Sequence, residues 1–439
     1  MGLEKPTIAV LEQKHLDDVW FQEYQNTALF KELSLLSGST EFRKQQKEEF
    51  LSGKTENPTL DYPKLEAFDF NQKEQALLNM KKKVLVEEKN PVVAQVYRWK
   101  LNERIAQLRA LMATRDGNDH RALRYSKFIF GSPEKEIYNH TVSQIKRVVN
   151  EKMFSPDPDI SSAAMRLNKE LFEVFMNNEN TIDPKEYNIP DLKLAEDESK
   201  YSAEEIKIAF EEYLRKNNLE GWVINVDSDA TKITVSQEER SVSIPVERKL
   251  SQMELEALIE HELGTHALRR EKGERSKLRI LGFGLDRYLK GEEGVATYKE
   301  QQIKGSTGFR GLDYHFAISL AMGMDGKKRD FRKVFEILKD YHFINSKKEK
   351  TAALKYSQDE AWSDCVRIFR GTTCKTPGAC LTRDLVYREG NIGVWNVVKN
   401  NPKEIKRFSV GKYDPANPRH IWILEQLGIT DEDLADLET

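Results

Sequence analysis

The chain has 439 residues, 39% of them hydrophobic and 32% charged, with a formal net charge of −3. That composition supports a real core under a heavily solvated surface, and a prior of ~150 residues per domain suggests two or three lobes. The near-balanced charge excludes nucleic-acid binding carried by overall charge, no run of apolar residues is long enough to read as a membrane span, and the opening MGLEKPTIAVLEQKHLDD lacks the basic start and apolar stretch of a signal peptide.

Cys365, Cys374 and Cys380 form no C-x-x-C pair. So sparse and odd a set fits free thiols in a reducing cytosol, and a cytoplasmic location is expected.

The first half reads as helices. Residues 12–36 and 40–52 are charged and amphipathic, Gly53 ends the second, and NPTLDYPKL (57–65) is a proline-marked linker. Helices are expected at 71–89, 91–114 and 120–130. Ser132-Pro133 then predicts a start with Ser at the N-cap and Pro at the first helical position. SPDPD (155–159) precedes a helix to about 177, and the acidic stretch 178–200 reads as a linker or surface loop.

From Ser202 the texture changes. Ser202 and Glu205 form a capping box for a helix to about 217. Three β-branched runs follow, Trp222–Asp227, Lys232–Gln237 and Ser241–Val246, with turns at Ser228-Asp229 and Glu238-Glu239. A second capping box, Ser251 with Glu254, starts a helix at Gln252 that arrives at His261 after two and a half turns. Helices are expected again over Glu292–Ile303, 312–324 and 328–342, and a last one capped by Ser357 and Glu360. The half from 201 is α+β, a small sheet against helices.

His261-Glu262-Leu263-Gly264-Thr265-His266 carries the chemistry. It places two imidazoles and a carboxylate within six residues. Neutral imidazole is a favoured zinc ligand, and a carboxylate beside the metal can take a proton from metal-bound water. The histidines are five apart, not the usual four. On a regular α-helix four residues turn the chain by about 40° net and five by about 140°, which splays the rings. A π-type turn restores one face, and Gly264 is where the helix is expected to widen. Two surface histidines on a charged helix would give the same letters. The capping box upstream and the acidic pair Glu292-Glu293 downstream, in GEEGVA, favour a metal site.

HELGTH followed by EEGVA resembles the microtubule-associated tyrosine carboxypeptidase family and its bacterial relatives, named for a Gln-Glu-Gly-Leu-Ala motif. Glu292 stands where that motif has Gln, and Val295 where it has Leu. RIFRGT (367–372) and TRDLVY (382–387) are similar to the family too, which tends to have Lys where this chain has Arg383. The resemblance covers roughly residues 65–410 and is strongest over 250–390. It implies a zincin-like catalytic lobe over 201–439, preceded by a helical extension (1–60) and a helical part packed on the lobe (61–200).

The resemblance also implies roles. Zinc would be held by His261, His266 and Glu293, with Glu262 as the general base and Glu292 free to orient a histidine N–H. Glu260 is expected to be a solvated helix residue, and His315 and His342 packed or surface histidines. A carboxypeptidase needs a cation for the substrate's terminal carboxylate. Arg370 is the first choice and Arg367 the alternative, with Tyr387 as donor to the developing oxyanion. In zincin-type order the last strand would border the cleft and offer its free edge to an extended substrate. The expected partner is a peptide or protein C-terminal tail, tubulin only in a eukaryotic setting, with neither nucleic acid nor membrane. Zinc-dependent amidohydrolysis, endopeptidase activity and a non-catalytic protein with a structural zinc site are the alternatives.

Overall fold

A computed structural model describes residues 15–193, 200–230, 232–237 and 239–429. It is a predominantly helical α+β protein with one three-stranded mixed sheet, and among the described residues no helix is long and apolar enough to cross a membrane. The start of the expected helix at 12–14, part of the 178–200 stretch and Glu238 lie outside the described residues.

Both capping boxes form. Ser202 starts the helix Ala203–Lys216, and Ser251 starts the helix Gln252–Leu258, each with its serine and glutamate exchanging both bonds. The strands are β1 (Val223–Asp227), β2 (Thr234–Ser236) and β3 (Ser241–Pro245), in the order β1-β3-β2. β3 runs parallel to β1 and antiparallel to β2. Period-2 alternation turns Val242 and Ile244 inward, both fully buried, against Phe210, Leu255 and Leu263. The expected free edge on the last strand is therefore wrong, because β3 is paired on both sides. The open edges belong to β1 and β2.

Four expected helix starts or spans also change, the first two where a distant group supplies what the local sequence does not. The helix expected over 12–36 breaks into Asp18–Thr27 and Glu32–Leu35. Buried Arg104 takes the carbonyls of Ala28 and Phe30, and Lys73 those of Thr27 and Leu29, so the break leaves no orphan acceptors there. The helix expected from Ser132-Pro133 begins at Lys135 with Glu134 as N-cap, and the Glu134 amide donates to Glu389 Oε1 at 3.0 Å. Ser357 does not cap anything. It lies inside the helix Lys350–Ile368 and its hydroxyl donates back to the Leu354 carbonyl at 2.8 Å. The helix expected to reach about 177 is interrupted at Leu171, giving Pro158–Glu170 and Phe172–Met176.

Two helices at the centre position the site. Leu289–Lys304 packs along Leu385–Asn400 at glycine-only separation. A Cβ at Gly294 would collide with the Gly390 carbonyl, and one at Gly390 with the Lys290 carbonyl. The glycine of the EEGVA segment thus lets the glutamate-bearing helix sit directly against its neighbour.

Candidate metal centre

The helix begun at Gln252 changes its winding at the motif. Residues Ile259–Ala267 form a π-helix, and α-helix resumes over Leu268–Arg275. The Leu268 amide reaches back five residues to the Leu263 carbonyl, and the Thr265 hydroxyl donates to the Glu260 carbonyl, also five back, at 2.9 Å. The widened turn brings the imidazoles of His261 and His266 together, ring centroids 5.3 Å apart and 76° between planes. Gly264 lies inside it, where a Cβ would come within 2.5 Å of Glu260 Oε2 and 3.0 Å of the Tyr213 hydroxyl. Lys299 fastens the turn from outside, donating to the Gly264 carbonyl at 2.6 Å and facing Glu260 at 3.5 Å. Glu260 is part-exposed and tied to that lysine rather than simply solvated.

Glu293, from the helix Leu289–Lys304, completes a cluster. One ligand atom each from His261, His266 and Glu293 lies within 4.8 Å of the others. Two imidazoles and one carboxylate with an open fourth position make the donor set of a catalytic metal site. Each histidine is also oriented from behind. His261 Nδ1 lies 3.1 Å from Glu300 and His266 Nδ1 2.9 Å from Glu292, which fixes the ring nitrogens and leaves each Nε2 available as a ligand. Burial alone would lower His261, but the Glu300 hydrogen bond and the charges of Glu262, Glu293 and Glu300 outweigh it and push the ring up to about 9. That is the signature of a site with an excess of negative charge around its donors.

Glu292 is the more deeply set of the two orienting carboxylates. Burial raises it, yet Lys412 at 3.0 Å, Arg269 at 2.7 Å and His266 together hold it well below the carboxylate range. Glu300 is depressed to about 2, against burial, by His261 and Lys304. Glu262 makes no side-chain hydrogen bond among the described residues.

Beyond the cluster stands a cationic wall. The Tyr387 phenol, raised by burial and by Glu293, accepts from Arg367 at 2.9 Å. Arg367 is occupied: it grips Asp384 through Nε at 2.5 Å and also reaches the Tyr314 hydroxyl. Arg383 lies 3.5 Å from Asp384 and within electrostatic reach of Glu293 and Glu32. Arg370 forms no ion pair among the described residues, and burial with the neighbouring Arg367 and Arg383 lowers it. Lys232, in the loop entering β2, is lowered by burial and by the same arginines. One carboxylate, Asp384, thus faces four cations.

Sequence reasoning missed Glu300, Lys299, Lys232 and Arg383 as site residues. Glu300 had a signal, since it follows Glu293 by two turns on one helix face. The others had none, being brought in by separate segments. His315 and His342 are packed: His315 Nδ1 lies 3.2 Å from Thr141 Oγ1, and His342 Nε2 2.8 Å from Asp364.

No curated protein and no solved structure matches the chain. A family model does, over residues 47–432, and it is that of the microtubule-associated tyrosine carboxypeptidases. With a match spanning most of its length, the chain belongs to that family.

Proposed function

We propose that this protein is a zinc-dependent carboxypeptidase that removes the last residue of an acidic peptide or protein tail in the cytoplasm, tyrosine being the residue its family description names. The observation that carries the reading is the convergence of His261, His266 and Glu293 in a chain of this family. These three residues would hold the ion. Zinc, when bound, supplies Lewis acidity and a water ionised near neutral pH.

The protein's own residues supply the rest. Glu262, adjacent to His261 and with no side-chain hydrogen bond among the described residues, takes the proton of the attacking water and returns it to the leaving amine. The Tyr387 hydroxyl, steadied by Arg367, donates to the substrate carbonyl oxygen as charge develops there. Arg370, which shares Asp384 only at a distance and forms no ion pair among the described residues, takes the terminal carboxylate of the substrate. Arg383 and Lys232 extend the positive wall for acidic residues of the same tail. Tubulin meets this description where the host has it.

The test compares a tail peptide as free acid and as amide, with products read by mass spectrometry. The wild type should carry about one zinc per chain by elemental analysis and release one residue from the free acid only. His266→Ala should lose the zinc. Glu262→Gln should keep it and lose turnover by roughly 10² to 10⁴, the usual worth of general acid–base help. Arg370→Ala should cost about 2–5 kcal/mol on the free acid and little on the amide, a cycle that isolates the pair. Equal cleavage of acid and amide would replace this reading with an endopeptidase, and zinc without hydrolysis would replace it with a structural site.

A further inference from the structure

A cleft of about 910 Å³ opens between the helix Leu385–Asn400, the start of the helix Lys135–Lys152 and the helix Pro418–Gln426. None of His261, Glu262, His266 and Glu293 lines it. Its charge is one-sided, with seven carboxylates against Arg287 and Lys290. Four of the seven are already answered. Lys290 pairs with Glu134 and Glu389, Lys100 with Glu103, and Arg407 with Glu404. Glu136, Asp414 and Glu425 carry no ion pair among the described residues.

Asp414 decides the matter. It is 8% exposed, so its carboxyl has lost most of its water. Oδ1 accepts from the Ala416 amide at 2.9 Å, and Oδ2 makes no hydrogen bond among the described residues and borders the cleft. Burial pushes the group up to about 6. Lys290 and Arg269 act on it only from a distance, and a carboxylate set this deep without a direct ion pair gains from a cation that meets it. Its position is built in: Gly291 has no Cβ, and one there would strike the Asp414 backbone.

The surrounding surface suits a chain rather than a bare amine. Exposed Trp422, with Ile421 and Val397, gives an apolar face beside Asp414. Asn396 and Asn400 lie one turn apart on one helix face, both exposed. Side chains so spaced stand about 5–6 Å apart, close to the ~6.6 Å two-residue repeat of an extended chain. Asn396 Oδ1 already accepts from the Tyr187 hydroxyl at 2.7 Å, which turns its Nδ2 donors toward a ligand, while the Asn400 amide offers a donor and an acceptor to a peptide group.

We propose that this cleft docks a basic peptide segment of a partner protein, with one lysine or arginine side chain reaching Asp414, the peptide backbone along Asn396 and Asn400, and an apolar side chain against Trp422. The site is separate from the hydrolytic reading and stands or falls without it.

The test is fluorescence anisotropy on the full chain, with a fluorescein-tagged Gly-Ser-Lys-Leu-Lys-Ser-Gly peptide amidated at its C-terminus so that it is no carboxypeptidase substrate. The same peptide with both lysines replaced by glutamine is the control. Saturable binding of the lysine peptide is expected, roughly 10- to 100-fold tighter than the control, the range for a hydrogen bond to a charged group. Asp414→Asn should remove most of that difference. Trp422→Ala, an exposed change that leaves the fold alone, should weaken both peptides together, and Glu425→Gln should weaken the lysine peptide alone. Those two variants carry the test should Asp414→Asn fail to fold. Equal binding of lysine and glutamine peptides overturns the proposal. So does indifference to Trp422→Ala and Glu425→Gln, binding of spermine without binding of the peptide, or a concentration-dependent dimer that Trp422→Ala abolishes with no peptide bound.

Discussion

The two imidazoles of the candidate centre are held in different ways. His266 leans on Glu292, which is 3% exposed and gripped by Arg269 and Lys412, themselves at 1% and 2%. His261 leans on Glu300, at 20%, whose other partners are Lys304 and, at 3.8 Å, Arg310 on the protein surface. The geometry of the two contacts is nearly the same, and the surroundings are not. Around Glu292, low dielectric strengthens each charge contact and makes every loss expensive. Around Glu300, water can replace what a substitution removes. One histidine is part of the core, and the other is adjustable.

The largest difference should appear on removing the two carboxylates. Glu292→Gln strips the counter-charge from Arg269 and Lys412. Lys412, already lowered by burial, can shed its proton, but an arginine cannot. Bonds from Arg269 to the carbonyls of Gly411 and Tyr413 remain. Unfolding of the metal-free protein should therefore show a loss toward the low end of about 3–5 kcal/mol, the range for breaking a buried ion pair. A loss below the usual surface-pair value would mean the buried network has no energetic role.

That loss has a pH signature. Glu292 is depressed in the folded state relative to its model value of 4.5. Its contribution is fully present above 4.5 and fades as the pH falls toward the folded value, because the unfolded chain then binds the proton first. The gap between wild type and Glu292→Gln should narrow on acidification below 4.5. A gap that stays constant or widens would assign the loss to packing.

Glu300→Gln should act on metal and hardly on stability. Orienting groups of this kind are worth roughly 10- to 100-fold in metal affinity. Competition with a chelator should register that loss while the metal-free melting temperature moves little. Equal stability losses in the Gln variants of Glu300 and Glu292 would erase the contrast.

The same contrast explains what was legible beforehand. Donors on one short segment announce themselves: His261, His266 and the five-residue spacing that demands a π-turn all sit within the π-helix Ile259–Ala267. Both serine–glutamate boxes likewise act within one turn. Ser357 and Glu360 show the limit, since the same letters in a running helix find no free amides to cap. Strand order is set by pairing, so nothing in β3 alone says that it lies between two neighbours. The wall of Lys232, Arg370 and Arg383 and the grip of Lys412 on Glu292 join segments far apart in the chain, where spacing carries no information.

The smallest effect, and the finest probe of the π-turn, is Gly264→Ala. Alanine is the better helix former by about 1 kcal/mol. Against that, its Cβ would press on the Glu260 carboxylate at 2.5 Å. Glu260 is part-exposed and can swing away, giving up a contact to Lys299 worth at most about 1 kcal/mol at a surface. The two terms nearly cancel, so global stability should stay within about 1 kcal/mol of wild type. Zinc binding should not stay put. The alanine favours regular α-winding, which turns residues five apart by about 140° and drives the rings from one another. His266 is pinned by Glu292, so His261 is the ring that leaves. Gly264→Val should weaken zinc further, as a β-branched side chain crowds the preceding turn. An alanine variant that holds zinc as tightly as wild type would show that the turn is held by Lys299 and Thr265 alone, with no need of the glycine.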